Sequence, residues 1–427
     1  MIWLGAAACL AWAVLLLGRG MFWLGRENDR IPAPDPAAWP AVTILVPARD
    51  EAETIGAVVA ALRAQDYPGV FGLWVVDDRS TDGTGALADG ATVITGQARA
   101  PGWTGKLWAL QQGLIAASDA ARGANAASDA ARGANAASNA ACGADAASDA
   151  ARGANAASDA ARGANASLDV ACGASAPLPD TPYLLFTDAD ILHAPDSLRC
   201  LVARAEARGL VLTSLMARLR CTSRAERWFI PAFIFFFQML YPFAWANDPR
   251  ARTAAAAGGC VLVRRDALQR AGGLLAIRGA MIDDCALASI LKPQGPTWLG
   301  LTDRVVSLRA SPTIGPIRRM VARTAYAQLR HSPVLLLGMM VALSLVFLAP
   351  PALSIFGQDW TRGLGVVAWA AMMLAFAPTQ RFYGLSAWRG LALPLIAAAY
   401  MLFTLDSAWA HIRGRGGMWK GEAAPPL

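Results

Sequence analysis

The hydrophobic positions of this chain form short continuous runs separated by helix-like segments. The apolar runs at 42–46 and 73–76 are typical of parallel strands buried on both faces of a sheet. Apolar residues between them, from Ile55 to Leu62, are spaced for one face of a helix, so this region predicts a β-α-β unit. A helix is also predicted to begin near Pro195, and further strands are predicted at 92–94, 183–186, 211–215 and 260–263.

Longer apolar segments lie at both ends of the chain. The segment 2–17 is followed by Arg19 and Arg26, and basic residues favour the cytoplasmic side of a membrane. We therefore predict an uncleaved N-terminal anchor at 1–24 with a cytoplasmic domain after it. A cleavable signal peptide is the alternative, but its basic residues precede the apolar core.

The C-terminal third carries three apolar segments, each long enough, or nearly so, to cross about 30 Å of hydrocarbon. They occupy 334–356, 364–378 and 391–410, within a predicted transmembrane region 334–410 that precedes a tail at 411–427. Three crossings would leave the basic tail residues outside, against the positive-inside tendency. Either one segment is re-entrant or this chain breaks the rule, and the sequence leaves both open.

A ten-residue unit, Ala-Ala-Ser-Asp-Ala-Ala-Arg-Gly-Ala-Asn, recurs with decay through 116–175. The unit has no large apolar residue and contains glycine, so it cannot build the core that a solenoid needs. We predict a solvated, partly helical insertion between a helix that ends near Leu114 and the strand at 183–186.

Composition agrees with a membrane protein, because 55% of the residues are hydrophobic and only 16% are charged. The seven cysteines are scattered without a Cys-x-x-Cys pair, which indicates neither a zinc site nor a disulfide framework. The net charge is +7, but the basic residues cluster beside apolar segments. Anionic lipid headgroups are therefore the expected partner, and nucleic acid is not.

Paired carboxylates carry the candidate chemistry. Asp188 and Asp190 follow the buried run 183–186, and carboxylates at this spacing can hold a divalent cation that also binds a diphosphate. Ligands bind beyond the carboxyl ends of strands in such sheets. Together with the other two acidic pairs, this pattern suggests a nucleotide-sugar site. Those pairs are Asp77 with Asp78 and Asp283 with Asp284.

Five motifs occur along the chain: Pro-Ala-Arg-Asp-Glu at 47–51, Trp-Thr-Gly-Lys at 103–106, Thr-Asp-Ala-Asp-Ile-Leu-His at 187–193, Met-Ile-Asp-Asp at 281–284 and Met-Val-Ala-Arg-Thr-Ala-Tyr at 320–326. In their order and spacing they resemble family 2 glycosyltransferases with the GT-A fold. More narrowly, they resemble the hopene-associated glycosyltransferases (HpnB) of hopanoid-producing bacteria, over nearly the whole chain except 116–175.

The resemblance implies a GT-A nucleotide-sugar-binding domain at 40–330, with a Rossmann-like mixed sheet, between N-terminal and C-terminal transmembrane helices. It implies Mg²⁺ or Mn²⁺ as cofactor, a UDP-sugar as the expected donor, and inversion with Asp284 as general base and Asp283 in support. For His193, a structural role at the exit of the strand is favoured over a place near the metal. The implied metal ligands are Asp188 and Asp190, and the implied nucleotide-sugar-binding residues are Pro47, Arg49, Glu51, Asp77, Asp78, Lys106, Asp188 and Arg323.

For several of these residues a purely structural interpretation stays open. Pro47 and Glu51 are also typical of an ordinary strand-to-helix turn. Lys106 could equally lie on an exposed helix surface, and Arg323 on a basic helix that faces the membrane. Asp82 with Gly83 indicates turn chemistry.

Processive relatives carry Gln-x-x-Arg-Trp, whereas the matching stretch here is Met-Val-Ala-Arg-Thr at 320–324, so transfer of a single sugar is expected. The aromatic segment 228–243 is predicted to lie in the membrane plane near an approaching lipid acceptor, with a buried core helix as the alternative.

The predicted protein is thus a multi-pass enzyme of the bacterial inner membrane, with a cytoplasmic catalytic domain, that glycosylates a lipid such as a hopanoid. The alternatives are a polyprenyl-phosphate or ceramide-like acceptor and, in a different class, a catalytically silent membrane scaffold. Aspartates are present in all three acidic pairs, which argues against the catalytically silent scaffold.

Overall fold

A computed structural model of the protein describes residues 1–142 and 181–414. Its described part contains one eight-stranded sheet in the order β3-β2-β1-β4-β7-β6-β8-β5. The strands are β1 (Val42–Ala48), β2 (Phe71–Asp77), β3 (Thr92–Thr95), β4 (Tyr183–Thr187), β5 (Ile191–His193), β6 (Leu212–Arg218), β7 (Cys260–Arg264) and β8 (Thr297–Ser307).

The sheet is mixed. β1 lies parallel between β2 and β4, β3 extends this parallel half, and β7 pairs antiparallel with both β4 and β6. Every residue of β1 is buried, as its continuous apolar run predicts. The α/β fold class is therefore confirmed, and the carboxyl ends of β1, β2 and β4 open at one edge of the sheet.

Helices cover both faces of this sheet and continue into an apolar bundle. The helices are α1 (Ile2–Leu17), α2 (Ile55–Arg63), α3 (Thr84–Leu87), α4 (Gly105–Cys142), α5 (Ser197–Arg208), α6 (Arg224–Leu240), α7 (Phe243–Asn247), α8 (Arg265–Arg270), α9 (Asp283–Leu291), α10 (Ile314–Gln328), α11 (Pro333–Leu343), α12 (Ala349–Phe356), α13 (Asp359–Phe382) and α14 (Leu393–Ile412). Single 3₁₀ turns occur at Phe22–Leu24, Leu274–Ile277, Lys292–Gln294 and Ala387–Ala392, and a π-helical turn at Ser344–Leu348.

The two sheet faces have separate cores. On one face, Val58 of α2 and Leu201 of α5 pack with Ile44 of β1. On the other, Leu110 of α4 and Leu287 of α9 pack with alternate residues of β1 and β4. This layering follows from strands that are apolar on both sides.

Helix α4 corrects the prediction of a helix that ends near Leu114, because it continues to Cys142 through the first copies of the repeat. Alanine is the best helix former, so the alanine-rich unit extends a helix that is already nucleated. Ala117 and Ala121 are buried where this extension passes the sheet domain. The predicted insertion beyond residue 142 lies outside the described residues.

Three helical segments are long and apolar enough to cross a membrane: Pro333–Phe356, Asp359–Phe382 and Ala387–Ile412. They match the three predicted segments, and the middle one is longer than the predicted 364–378. The N-terminal apolar helix Ile2–Leu17 is shorter. The predicted domain boundaries remain predictions.

The aromatic segment predicted to lie in the membrane plane is helix α6. Its N-terminus has a capping box between Ser223 and Glu226. Ile230 packs toward the sheet domain, whereas Phe235 packs against the apolar bundle. α6 therefore lies between the sheet domain and the apolar helices, while its orientation in a membrane stays a prediction.

Trp12 anchors the N-terminal helix to the bundle. It donates a hydrogen bond to a backbone carbonyl of the segment Pro333–Phe356 that has no donor within that segment at the usual helical spacing. Pro350 and Pro351 lack the N–H groups that would otherwise bond the Val346 carbonyl from four or five residues ahead. The indole Nε1 of Trp12 donates to this carbonyl at 2.8 Å. The interaction fixes α1 against the π-helical turn.

Replacing Trp12→Phe is expected to lower the Tm of the detergent-solubilised protein. The substitution keeps most apolar contact but leaves the partly buried Val346 carbonyl without its donor, a loss of about 1–3 kcal/mol. Trp3→Phe is the matched control, because Trp3 is 84% exposed. Equal Tm values for the two variants would contradict this role.

Candidate active site

A cleft of about 300 Å³ opens at the carboxyl ends of β1 and β4. It is bounded on one side by the sheet and on the other by α6 and α10. It brings together most of the predicted site residues, namely Pro47, Arg49, Glu51, Lys106, Asp188, Asp190, Asp284 and Arg323.

Lys106 connects the two halves of the acidic site. Its Nζ lies 2.6 Å from Oδ1 of Asp188 and 3.3 Å from Oδ2 of Asp283. Burial alone would lower the pKa of Lys106, but the two carboxylates raise it overall. Lys106 is therefore a permanent cation inside the cleft, not an exposed helix residue.

The pKa of Asp188 is raised even though Lys106 contacts it. Burial is the largest cause, and the neighbouring Asp190 and Asp283 add repulsion that Lys106 only partly offsets. The cluster therefore favours additional positive charge.

Asp284 is held at the N-terminus of α9. Its Oδ2 accepts a hydrogen bond from the Gly258 N–H at 2.9 Å, and its Oδ1 accepts one from the Cys285 N–H at 2.7 Å. Burial, followed by repulsion from Asp283, raises the pKa of Asp284 to about 6. A carboxylate with this pKa is mostly ionised at neutral pH and can still take up a proton.

Asp77 and Asp78 lie behind the cleft at the end of β2. Asp78 is buried, and its Oδ2 lies 3.5 Å from Nη1 of Arg49. Asp77 accepts a hydrogen bond from the Ser80 N–H at 2.9 Å. Asp78 thus orients Arg49, which lines the cleft, and Asp77 shapes the loop after β2.

The loops after β1 and β2 are braced together. The Glu51 N–H donates to Thr84 Oγ1 at 2.8 Å, and the Ala52 N–H donates to Asp82 Oδ2 at 3.0 Å. Gly83 has a φ of +85°, so the predicted turn at Asp82 and Gly83 is confirmed. The bracing holds Glu51 at the wall of the cleft.

Arg309 is a cleft residue that the sequence analysis missed. Its Nε lies 2.8 Å from Oδ2 of Asp190, and its Nη2 lies 2.8 Å from Oε1 of Glu51. It follows β8, far from these partners in the chain and outside any of the quoted motifs. Its pairing could have been foreseen only by placing β8 beside β5, the short strand that follows Asp190 in the chain.

His193 has a structural role, in line with the favoured interpretation. Its ring is buried between Thr187 Oγ1 at 2.8 Å and Ser197 Oγ at 3.1 Å. Burial lowers its pKa to about 4, so the ring is neutral at physiological pH.

The described residues contain no group of three or more His, Cys, Asp or Glu side chains that could hold a metal by itself. Mg²⁺ and Mn²⁺ that bind together with a substrate need only one or two carboxylates, because phosphate and water complete their shell. The raised pKa of Asp188 fits such an ion, since an added cation would relieve the repulsion.

Comparison with known proteins now identifies the family, because the profile of glycosyltransferase like family 2 matches residues 40–307. The chain belongs to glycosyltransferase family 2. The match covers the sheet and all three acidic pairs. The glycosyltransferase is thus of the GT-A type, whose members use nucleotide sugars. A comparison with curated proteins found no match.

Several solved structures are similar to this glycosyltransferase. The mannosyltransferase PcManGT from Pyrobaculum calidifontis, in complex with GDP-Man and Mn²⁺, is 19% identical, with 98% of this chain and 100% of that chain covered and a TM-score of 0.45. Mannosyl-3-phosphoglycerate synthase from Rubrobacter xylanophilus is 14% identical, with 68% and 72% covered and a TM-score of 0.34. Glucosyl-3-phosphoglycerate synthase from Mycobacterium tuberculosis, in complex with Mn²⁺, UDP and glucosyl-3-phosphoglycerate, is 16% identical, with 68% and 79% covered and a TM-score of 0.36.

The bundle side of the glycosyltransferase cleft carries a cluster of apolar side chains beside Arg323. Ile230, Phe233 and Phe237 of α6 line it together with Met320 of α10. The same two helices pack against the apolar bundle. The cleft therefore combines charged side chains of both signs on the sheet side with apolar side chains on the bundle side.

Proposed function

We propose that this family 2 glycosyltransferase transfers one sugar from a nucleotide-sugar donor to a lipid, with inversion at the anomeric carbon. The observation that carries the proposal is the composition of one cleft. Asp188, Asp190 and Asp284 form its acidic side, whereas Phe233 and Phe237 of α6 face it from the apolar bundle. A water-soluble acceptor would gain nothing from this wall, while a lipid would bury its chain there.

Asp284 is the proposed general base. The acceptor hydroxyl oxygen attacks the anomeric carbon, its proton passes to Asp284, and the bond from that carbon to the diphosphate oxygen breaks. One displacement of this kind inverts the configuration. The supporting observations are that Asp284 lines the cleft and that its pKa is raised to about 6.

Asp188 and Asp190 are the proposed ligands of Mg²⁺ or Mn²⁺, which when bound neutralises charge that develops on the leaving diphosphate. Lys106 holds a second positive charge beside Asp188. Pro47, Arg49, Glu51 and Arg323 line the same cleft as the proposed nucleotide-sugar site. Asp78 supports Arg49 from behind, and Asp77 belongs to the proposed site through the loop after β2.

The acceptor is proposed to be a hopanoid, on the motif resemblance, in the inner membrane of a bacterium. The catalytic domain is proposed to be cytoplasmic, because Arg19, Arg318 and Arg330 flank the apolar helices on the side of that domain. Transfer is proposed to be non-processive, because Gln and Trp of the processive motif are replaced by Met320 and Thr324.

The decisive experiment incubates purified protein with UDP-, GDP- and dTDP-sugars and Mn²⁺, with and without hopanoid-containing lipid extract. A metal-dependent glycolipid is the expected product. Parallel reactions with polyprenyl phosphate and ceramide test the other acceptors. The absence of turnover with every donor, together with the absence of metal-dependent nucleotide binding, would favour the membrane-scaffold alternative.

Phe233→Ser is expected to raise the KM for the lipid acceptor about 10- to 100-fold, because the apolar contact of a phenyl ring is worth about 1.5–3 kcal/mol. The KM for the donor should change less than about twofold, since Phe233 lies on the apolar wall, on the bundle side of the cleft. Leu240→Ser on the same helix is the matched control, because Leu240 is exposed and does not line the cleft. A change in donor KM alone would contradict the assignment of this wall to the acceptor.

A further inference from the structure

The segment Ala387–Ile412 is long enough to cross a bilayer, yet both of its ends contact the catalytic side of the molecule. We propose that this segment lies along the cytoplasmic face of the membrane without crossing it, and that its outer face binds the acyl region of the cytoplasmic leaflet. The proposal concerns membrane docking and stands independently of the acceptor.

The apolar bundle has a far end and a near end. Met1, Phe356 and Asp359 lie together at the far end. At the near end of α13, the guanidinium of Arg218 in the sheet domain lies 5.5 Å from the ring of Phe382 and 5.6 Å from that of Tyr383. α1, Pro333–Phe356 and α13 therefore each connect the catalytic side with the opposite side.

The beginning of Ala387–Ile412 lies on the near side. Nη1 of Arg389 donates to the Arg227 carbonyl at 3.1 Å, and the Arg389 guanidinium lies over the ring of Trp228 at 4.2 Å. Arg227 and Trp228 belong to the first turns of α6, the helix that lines the active-site cleft. This end thus contacts the first turns of α6.

The other end of the segment returns to the same side. Asp406 forms an ion pair of 2.6 Å with Arg318 of α10, and the ring of His411 stacks on His331 at 4.0 Å. Between the two ends, the Tyr400 hydroxyl donates to the Phe229 carbonyl of α6 at 2.8 Å. The segment therefore follows α6 and α10 along its length.

A crossing is inconsistent with these contacts. A helix of 26 residues separates its ends by about 38 Å, which would carry one end to the side of Met1 and Asp359. It would also place Asp406 inside the hydrocarbon, where a carboxylate is costly. An in-plane segment avoids both, and it keeps Arg413 at its C-terminal end on the cytoplasmic side, in agreement with the positive-inside tendency.

The outer face of α14 has the composition of a lipid-binding surface. Its inner face, including Ile396 and Ala397, packs in the apolar bundle. The opposite face is exposed, as are apolar residues of the segment Pro333–Phe356, so lipid is the occupant that covers both. The exposed residues on this face are Leu395, Leu402, Leu405, Trp409 and Ile412.

The first test measures labelling by a membrane-impermeant maleimide in spheroplasts that express the full chain. We expect Gln358→Cys to be labelled directly, and Met418→Cys to be labelled only after permeabilisation, as Ala86→Cys in the catalytic domain is. For each variant, the labelling of the unsubstituted protein is subtracted as background. Direct labelling of Met418→Cys to the extent of Gln358→Cys would overturn the proposal.

The second test measures the membrane depth of spin labels in liposomes, with all cysteines except the buried Cys260 and Cys285 replaced by serine. Labels at Leu391→Cys, Leu402→Cys and Ile412→Cys should report depths within about 5 Å of one another, whereas a crossing helix would spread them over about 31 Å. Val334→Cys and Ile355→Cys on Pro333–Phe356 are the crossing control. A depth gradient, or shielding of all three sites from lipid-soluble oxygen by a second copy of the chain, would overturn the proposal.

Discussion

Asp284→Asn is expected to lower kcat for sugar transfer by about 10²–10⁴-fold, the usual contribution of a general base. The amide keeps the shape of the side chain and an oxygen that can accept one of the two backbone hydrogen bonds, from Gly258 or Cys285. It cannot take the proton of the acceptor hydroxyl. The KM for the nucleotide sugar should change little, because the diphosphate is assigned to Asp188 and Asp190. Steady-state transfer assays with purified variants measure both quantities.

The comparison with Asp283→Asn assigns the base within the acidic pair. Asp284 lines the cleft, whereas the Asp283 carboxylate is ion-paired with Lys106. We therefore expect the smaller loss for Asp283→Asn, together with a higher KM for the donor as Lys106 shifts. The reverse order of the two kcat losses would reassign the base to Asp283.

The pH dependence provides a further check on Asp284. Its raised pKa of about 6 predicts that kcat/KM of the unsubstituted enzyme falls about tenfold per pH unit below this value. The folded state binds this proton more tightly than the unfolded state, so the contribution to stability is present at low pH and is lost as the pH rises through about 6. Asp284→Asn should therefore not lower the Tm at neutral pH. A variant that is inactive because it misfolds would instead lose Tm and activity together.

Sequence patterns predicted those parts of the fold that depend on neighbouring residues. Continuous apolar runs revealed six strands, because a strand buried on both faces needs no polar position. β8 was missed because Thr302, Asp303 and Arg304 interrupt its apolar pattern where Asp303 reaches the surface. β5 has only three residues and follows a turn, so it carries too little periodicity to be recognised.

The candidate site shows the same division between local and long-range information. Motifs pointed to the carboxylates because each pair sits at the end of its own element. The pairing of Arg309 with Asp190, and of Lys106 with Asp283, depends on how distant elements meet in the sheet. Likewise, hydropathy indicated that Ala387–Ile412 is apolar, but only the contacts of its two ends indicate which side of the membrane they occupy.

Asp188→Asn is expected to abolish measurable transfer and, with it, metal-dependent binding of the nucleotide. Asp188 and Asp190 are the proposed metal ligands, and the described residues offer no group of three that could replace them. Loss of one of two carboxylates removes both a ligand and the charge that attracts the cation. Lys106 keeps Asp283 as a partner, so the fold of the cleft should persist. Mn²⁺ titration monitored by nucleotide binding measures the effect separately from turnover.

The matched control is Asp89→Asn, because Asp89 is exposed in the same domain, away from the cleft. It should leave transfer and Mn²⁺ dependence unchanged. If Asp188→Asn also retained full transfer, the metal would have to bind elsewhere and the assignment of this cleft would be wrong. If both variants and the unsubstituted chain were equally inactive and bound no nucleotide, the acids would serve only the fold. That outcome is physically unfavourable, because the burial and mutual repulsion that raise the pKa of Asp188 destabilise its ionised form unless a ligand uses the charge.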